Sequence, residues 1–407
     1  MLLHLSICSD IMVAIDCKGV LTMIDLSVEY AGLKLRTPVI AASSGITETV
    51  ELMKNLEQHG IGAIVMKSLF EEEICRQAPT PRYKVLRHDM GGKYRTFSFY
   101  SYEQASVWGP DRYAQEVKKA VNELSIPIIP SINCITDDGW KRYAALMQKA
   151  GAPALELNVS CPHGSIVFRG GTDVASEIIR VTELVLSEVD IPVIVKLSPQ
   201  LTAPLQIAKA VEDAGAKGVV MFNRLTGLDI DIDAESPILH GGYAGHGGPW
   251  AIYYALRWIS EAYPQLHVDI SASGGAVTAD DVVKYILAGA KTVQVCTAIM
   301  LKGPGVIDDM NGGLAAWMNK KGYNAVDQFR GKVSNGAIKG TKDVDRRHYK
   351  KAHILDKCTS CGICAPLCIF DAIDSSTEPY RVVQDICDGC GLCAEVCPIS
   401  AVEMREV

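Results

Sequence analysis

From Pro38 onward, apolar residues gather into short runs separated by longer mixed segments. The runs are "PVIAASS" (38–44), "AIVMKSL" (63–69), "IPIIPSIN" (126–133), "ALELNVS" (154–160), "IPVIVKLS" (191–198), "GVVMFNRL" (218–225), "HVDISASGG" (267–275) and "TVQVCTAI" (292–299). Most are apolar without strict alternation, the pattern of parallel strands covered on both faces. Between them, apolar positions recur at helical spacing, as in "ETVELMKNLEQHG", "DGWKRYAALMQKAG" and "TADDVVKYILAGA". Several of these segments end at or near Gly, a common helix stop. Eight strand–helix units in succession predict an α/β fold of the (β/α)8 TIM-barrel type. A doubly wound sheet is the alternative. The count of eight, the length of the region and the polar groups at the strand ends favour the barrel.

Two connections break the rhythm. One follows the second strand, from about Phe70 to Ser125. The other follows the sixth strand, through "GLDIDIDAESPILHGGYAGHGGP". Long loops after barrel strands usually build or cover an active site. A last helix and a polar linker run from about Gly303 to Lys351. The expected organisation is an N-terminal extension (1–22), a barrel (23–330), a linker (331–350) and a cysteine-rich domain (351–407). The extension is interrupted by Asp10 and Asp16 and lacks the basic start of a signal peptide. Translation from Met23 is an alternative. No run is long and apolar enough to span a membrane.

Composition changes the picture in two ways. The hydrophobic share is 48% and mean hydropathy is +0.13, enough for a sizeable core at 407 residues. The net charge of -7 shows no basic excess of the kind a nucleic-acid binder carries. The chain holds 14 cysteines, eight of them in two regular runs between Cys358 and Cys397. A secreted disulfide scaffold would be much smaller, so the runs read as metal ligands in a reducing, cytoplasmic compartment.

The runs are Cys358-x2-Cys361-x2-Cys364-x3-Cys368 and Cys387-x2-Cys390-x2-Cys393-x3-Cys397-Pro398. This is the spacing of two-cluster ferredoxins, in which the fourth cysteine of each run reaches the other cluster. Cys358, Cys361, Cys364 and Cys397 are thus expected to hold one [4Fe–4S] cluster, and Cys387, Cys390, Cys393 and Cys368 the other. Structural zinc also takes four cysteines, but the duplicated triple spacing fits cubane clusters better. The first run departs from the pattern by ending Cys368-Ile369 without proline.

Clusters need a redox partner, which directs attention to the C-terminal ends of the barrel strands. Gly274 and Gly275 permit close backbone approach in the usual phosphate region of such barrels, and Thr297 adds a hydroxyl. Lys67 and Lys196 lie late in predicted strands, where an interior lysine needs a partner. They form salt bridges in the core or contact a flavin. Asn158 and Asn223 either orient a planar polar ligand or cap turns.

"ELNVSCPHG", "VKLSPQLT", "GGYAG", "ISASGGAVTADD" and "VQVCTAIM" resemble the dihydroorotate dehydrogenase and dihydropyrimidine dehydrogenase superfamily. The nearest architecture is the FMN and Fe–S catalytic subunit of bacterial NAD-dependent dihydropyrimidine dehydrogenase, and the resemblance covers about Met23 to the C-terminus. It implies Cys161 as catalytic acid/base. It implies Asn158, Ser160 and Asn223 as holders of a pyrimidine ring, and Lys67 and Lys196 as flavin contacts. Ala42, Gly245, Gly274, Gly275 and Thr297 fall where the family holds FMN. Two positions depart from the family. Ser101 replaces a substrate-facing asparagine, and Arg224 replaces a small hydroxylic residue. Arg224 either pairs with an anionic substrate group or points to solvent. His240 and His246 lie in the long sixth loop, within possible reach of the mouth.

The expected reaction is reversible reduction of a polarised C=C bond in a small planar substrate, dihydropyrimidine dehydrogenase-like, with FMN and two [4Fe–4S] clusters. Hydride passes at the flavin and Cys161 moves a proton. The electron partner is an FAD subunit using NAD(P)H, or a ferredoxin. No dinucleotide-binding unit is visible in the chain. An oligomer, homomeric or heteromeric, follows by family analogy. Alternatives are a dihydroorotate dehydrogenase-like enzyme on an anionic substrate, an RNA-modifying flavin barrel, and an electron-transfer subunit with an inactive barrel. The acidic charge and the cysteine runs count against the RNA reading, and intact Asn158, Cys161 and Asn223 against the inactive one.

Overall fold

The computed structural model describes residues 11–15, 21–77, 80–89, 95–102, 105–159, 173–239, 243–340, 342–344 and 349–407. Eight parallel strands form the centre. They are β1 (Val39–Ala41), β2 (Ile64–Val65, resuming at Leu69–Phe70), β3 (Ile128–Ile129, resuming at Ser131–Asn133) and β4 (Leu155–Leu157). Then come β5 (Val193–Lys196), β6 (Gly218–Met221), β7 (Asp269–Ser273) and β8 (Thr292–Val295). Each pairs in parallel with the next, and β8 returns to β1 with Val293 opposite Val39. Both segments of β2 pair with β3, Ile64 against Ile128 and Leu69 against Ile132. The sheet is therefore closed and has no free edge, which is the (β/α)8 TIM barrel expected from the eight apolar runs.

A helix follows every strand. These are α1 (Val50–Gln58), α2 (Pro110–Glu123), α3 (Asp137–Lys149), α4 (Val174–Leu186), α5 (Pro204–Asp213), α6 (Ile252–Ala262) and α7 (Ala279–Ala288). After β8 come α8 (Thr297–Lys302) and α9 (Val306–Lys321). Local chemistry starts and stops them. Thr49, Thr136, Asp173 and Thr278 each accept a backbone N–H at a helix start, a cap worth about 1 kcal/mol. Gly289 ends α7 in the left-handed region at φ 116, where added side-chain bulk would strike Tyr263. One face of each helix packs on the barrel, as Val50, Met53 and Leu56 do on α1.

The two long connections do more than loop outward. Tyr83–Asp89 and Arg95–Ser101 form a hairpin after β2, and Leu225–Gly227 and Ala244–Gly247 come from the loop after β6. All four join in one antiparallel sheet, with Gly245 opposite Ser101 and His246 opposite Tyr100. At the other end of the chain's first unit, Ile11–Ile15 pairs antiparallel with Leu21–Asp25, so part of the N-terminal extension is paired with chain leading into the barrel.

The chain divides into two compact units, 1–338 and 339–407. In the second, Lys350–Ile354 pairs with Val402–Glu406 around a small core of Ala352, Cys397, Ala401 and Val402. Ile373–Asp374 pairs with Arg381–Val382. Among the described residues, no helix is long and apolar enough to cross a membrane.

Candidate functional site

One pocket opens at the C-terminal ends of the barrel strands. Ala42, Lys67, Asn158, Lys196, Asn223, Gly274, Gly275 and Thr297 all line it, and so do Ser101 and Arg224. Ten positions picked from eight separate stretches of sequence thus meet in one place. Gly245 does not reach the wall. It lies in the Ala244–Gly247 strand beneath Arg224, where any side chain would collide with the Arg224 guanidinium. Its neighbours His246, Gly247 and Gly248 line the pocket instead. Cys161, Ser160 and His240 lie outside the described residues.

A polar chain crosses one wall. Asn223 Nδ2 donates to Asn158 Oδ1 at 3.0 Å, and Asn158 Nδ2 donates to Ser68 Oγ at 3.1 Å. Ser68 Oγ lies 2.8 Å from Ser131 Oγ and 3.0 Å from Ser43 Oγ. The Asn158 carbonyl accepts from Asn133 Nδ2 at 2.6 Å. Asn158 is therefore fixed at both side chain and backbone, which orients its amide toward the cavity without the entropy loss of a free rotor. Asn223 Oδ1 accepts the Arg224 N–H at 2.9 Å, and Arg224 Nη1 donates to Ser101 Oγ. The two departures from the family pattern thus touch each other. Arg224 is a wall residue and does not point out to solvent. Half-buried beside the asparagine pair, its guanidinium offers forked N–H donors matched to a carboxylate.

The floor carries a buried ionic group. Lys196 Nζ donates to Gln294 Oε1 at 2.6 Å, and Gln294 Nε2 donates to Glu156 Oε2 at 2.7 Å. Lys196 Nζ also lies 3.6 Å from Glu156 Oε1. Glu156 and Gln294 were not among the expected site residues. The available signal was a charged or amide side chain inside an apolar strand, "ALELNVS" and "TVQVCTAI", where a polar group needs a partner. On the opposite side, Gly275 adopts φ 74, and a Cβ there would come within 2.5 Å of the Ile252 backbone nitrogen. Only glycine lets this turn after β7 sit so close to α6.

Aromatic groups frame the mouth. His246 stacks on Tyr100 at 5.0 Å between ring centroids and tilts against Trp250 at 5.6 Å. Trp250 Nε1 donates to Ser98 Oγ at 3.2 Å. Burial holds the half-buried His246 imidazole below its ordinary pKa. A histidine with a depressed folded pKa stabilises the fold above its unfolded value of ~6.5 and loses that contribution as pH falls through the folded value. The thermal midpoint of the wild-type protein is expected to drop more steeply from about pH 6.5 to pH 5 than that of His246→Asn. Parallel profiles would show that His246 protonates freely in the fold.

The second unit repeats itself. Its two cysteine runs begin at Cys358 and Cys387, and the backbone follows the same offset. The left-handed residues Ser360, Gly362 and Asp371 of the first run match Gly389, Gly391 and Ser400 of the second. Ala372 N–H donates to Cys368 Sγ at 3.3 Å, and Ala401 N–H to Cys397 Sγ at 3.1 Å. Burial, then Cys358, Cys361 and Cys397, push the Cys364 thiol up. Burial, then Cys364, Cys387 and Cys390, push Cys393 up to about 11. Among the described residues, no three His, Cys, Asp or Glu side chains converge on a point suited to a single metal ion.

Comparison with known proteins gives two family matches. Residues 25–318 match the family described as dihydroorotate dehydrogenase, and residues 380–403 match a 4Fe-4S binding domain. Among similar proteins is the dihydroorotate dehydrogenase B (NAD(+)) catalytic subunit of Geobacillus kaustophilus, 33% identical over 302 residues, or 71% of this chain and 92% of that protein. The proteins of the same name from Thermoplasma acidophilum and Pyrococcus abyssi are 31% and 30% identical, over 76% and 75% of this chain and 99% and 98% of theirs.

Proposed function

Because the chain belongs to the dihydroorotate dehydrogenase family and carries a 4Fe-4S binding region later in its sequence, we propose that it interconverts the CH–CH and C=C forms of a small planar ring bearing an anionic group. The observation that carries this is Arg224, set in the pocket wall beside the Asn158–Asn223 amide pair. Asn158 and Asn223 present donors and acceptors to the ring edge. Arg224 takes a carboxylate or equivalent anion, with Ser101 holding the guanidinium in place. Orotate and dihydroorotate have this chemistry.

The family implies FMN, and the pocket fits it. Glycine-only backbone at Gly274 and Gly275, the Thr297 hydroxyl and the two buried lysines match a ligand with a phosphate and a polar ring. When bound, the flavin supplies hydride acceptance and donation. Lys67 and Lys196 would hold the ring or its ribityl chain, and Ala42, Gly274, Gly275 and Thr297 the rest. Cys161, three residues beyond Asn158, moves the proton at the carbon next to the hydride carbon. Cys358, Cys361, Cys364 and Cys397 would hold one [4Fe–4S] cluster and Cys387, Cys390, Cys393 and Cys368 the other, and clusters there would supply single-electron transfer with a partner. The 29-residue backbone repeat supports two clusters rather than one. The relatives are named NAD(+) catalytic subunits, which supports an FAD and NAD(P)H subunit as the partner. A ferredoxin is the other candidate.

A second reading is a dihydropyrimidine dehydrogenase-like enzyme on a neutral ring. It is favoured by the cysteine-rich unit, which lies beyond the 71–76% of the chain that nearly spans the barrel relatives. The test is a panel of orotate, uracil, thymine and related enones added to anoxic, reduced protein, with reoxidation of the flavin followed by absorbance. Orotate turnover that falls about 30-fold or more in Arg224→Ser, with uracil turnover unchanged, supports the anionic reading. That loss corresponds to at least about 2 kcal/mol for a truncated charge pair. Turnover of uracil or thymine alone moves the conclusion to the neutral ring.

A further inference from the structure

We propose that Glu156 and Gln294 are positioning residues that set the reduction potential of the flavin through Lys196. The inference rests on the reading that Lys196 faces the flavin. The three side chains come from β4, β8 and β5 and meet on the pocket floor. They are 1%, 2% and 5% exposed, so water does not screen them.

The order of the chain is fixed by chemistry. Lys196 has only donors, so the side-chain amide of Gln294 must turn its oxygen to the ammonium. Its nitrogen then points at Glu156 Oε2, which can only accept. Among the described residues Glu156 Oε1 accepts no hydrogen bond, and it faces Lys196 at 3.6 Å. The carboxylate's field is felt elsewhere in the barrel as well. The Tyr30 phenol is pushed well up by burial first, and by Glu156 next.

Packing alone does not call for this arrangement. Leu155 and Leu157 flank Glu156 in the same strand, and both are fully buried. A buried ion pair is often no more stabilising than apolar side chains of the same volume. At the floor of a redox pocket the pair has a different effect. A lone Lys196 ammonium would favour added negative charge above it and raise the flavin potential. Glu156 offsets part of that field, and Gln294 holds the two charges at a fixed separation.

The experiment measures the flavin midpoint potential of the FMN-loaded full chain by anoxic spectroelectrochemistry at about pH 6. Wild type is compared with Glu156→Gln and Glu156→Asp. Glutamine keeps the shape and removes the charge, so the midpoint is expected to rise. Aspartate keeps the charge and loses a methylene, so the midpoint is expected to stay near wild type. Loss of FMN from Glu156→Gln but not from Glu156→Asp supports the same conclusion, since it also tracks the charge. Equal midpoints in wild type and Glu156→Gln, with FMN bound, overturn the proposal. An aspartate variant disturbed as much as the glutamine variant also overturns it and assigns Glu156 to packing. Failure of wild type to take up FMN at all would instead remove the flavin reading on which the inference rests.

Discussion

Cys161→Ala is expected to lower substrate turnover by about 10²–10⁴-fold, the usual contribution of a positioned acid or base. Reduction of the bound flavin by an artificial donor should be unchanged, because that step needs no proton from this side chain. The contrast between the two rates is what identifies a catalytic acid. A fold defect would lower both. An ordinary cysteine titrates near pKa ~8.5 and is mostly thiol at neutral pH. It is therefore ready to donate in the reductive direction, and that rate should fall as pH rises through the thiol pKa. Oxidation needs the thiolate and should rise over the same range. Cys161→Ser, with a far weaker acid, should move both limbs to higher pH. Unchanged turnover in the alanine variant would take Cys161 out of the mechanism.

The second large effect concerns the cysteine-rich unit. Wild type is expected to bind about eight irons per chain, and Cys397→Ala about four. The decisive feature is which cluster survives. If the fourth cysteines cross over, Cys397→Ala and Cys361→Ala leave the same cluster with the same paramagnetic spectrum. Cys368→Ala and Cys390→Ala then leave the other. If each run closes on itself, Cys397→Ala will instead match Cys390→Ala. The Sγ of Cys397 accepts the Ala401 N–H, and the residue sits in the small core with Ala352 and Val402. Its loss is therefore expected to lower the stability of this unit as well, since cluster binding and folding are coupled. Zinc in place of iron in the anoxic wild-type protein would end the cluster assignment.

Much of this molecule is written in local patterns. Continuous apolar runs such as "IPVIVKLS" and the capped helices between them already specify a parallel α/β sheet, because burial on both faces demands that pattern and short-range capping starts each helix. The cysteine spacing carries its expected chemistry in the chain itself, since three thiolates spaced two residues apart in one loop suit one cluster. Lys67, Asn158, Lys196 and Asn223 were legible as polar groups at the ends of apolar strands.

Other features appear only when the barrel closes. The four-stranded sheet over the mouth joins two loops separated by more than a hundred residues, and no local periodicity encodes a pairing of that kind. The contact between Arg224 and Ser101 depends on it, as does the placing of Gly245 under the guanidinium and out of the wall. In the same way, Glu156 in its strand is only a misplaced charge. Lys196 and Gln294 become its partners because closure brings β4, β5 and β8 around one axis, and a buried charge in a low-dielectric interior has to be met there by a donor. Sequence determined the elements and the inventory of reactive groups, because those follow from neighbours along the chain. Tertiary structure decided which groups face one another, because long-range pairing and desolvation depend on the closed fold.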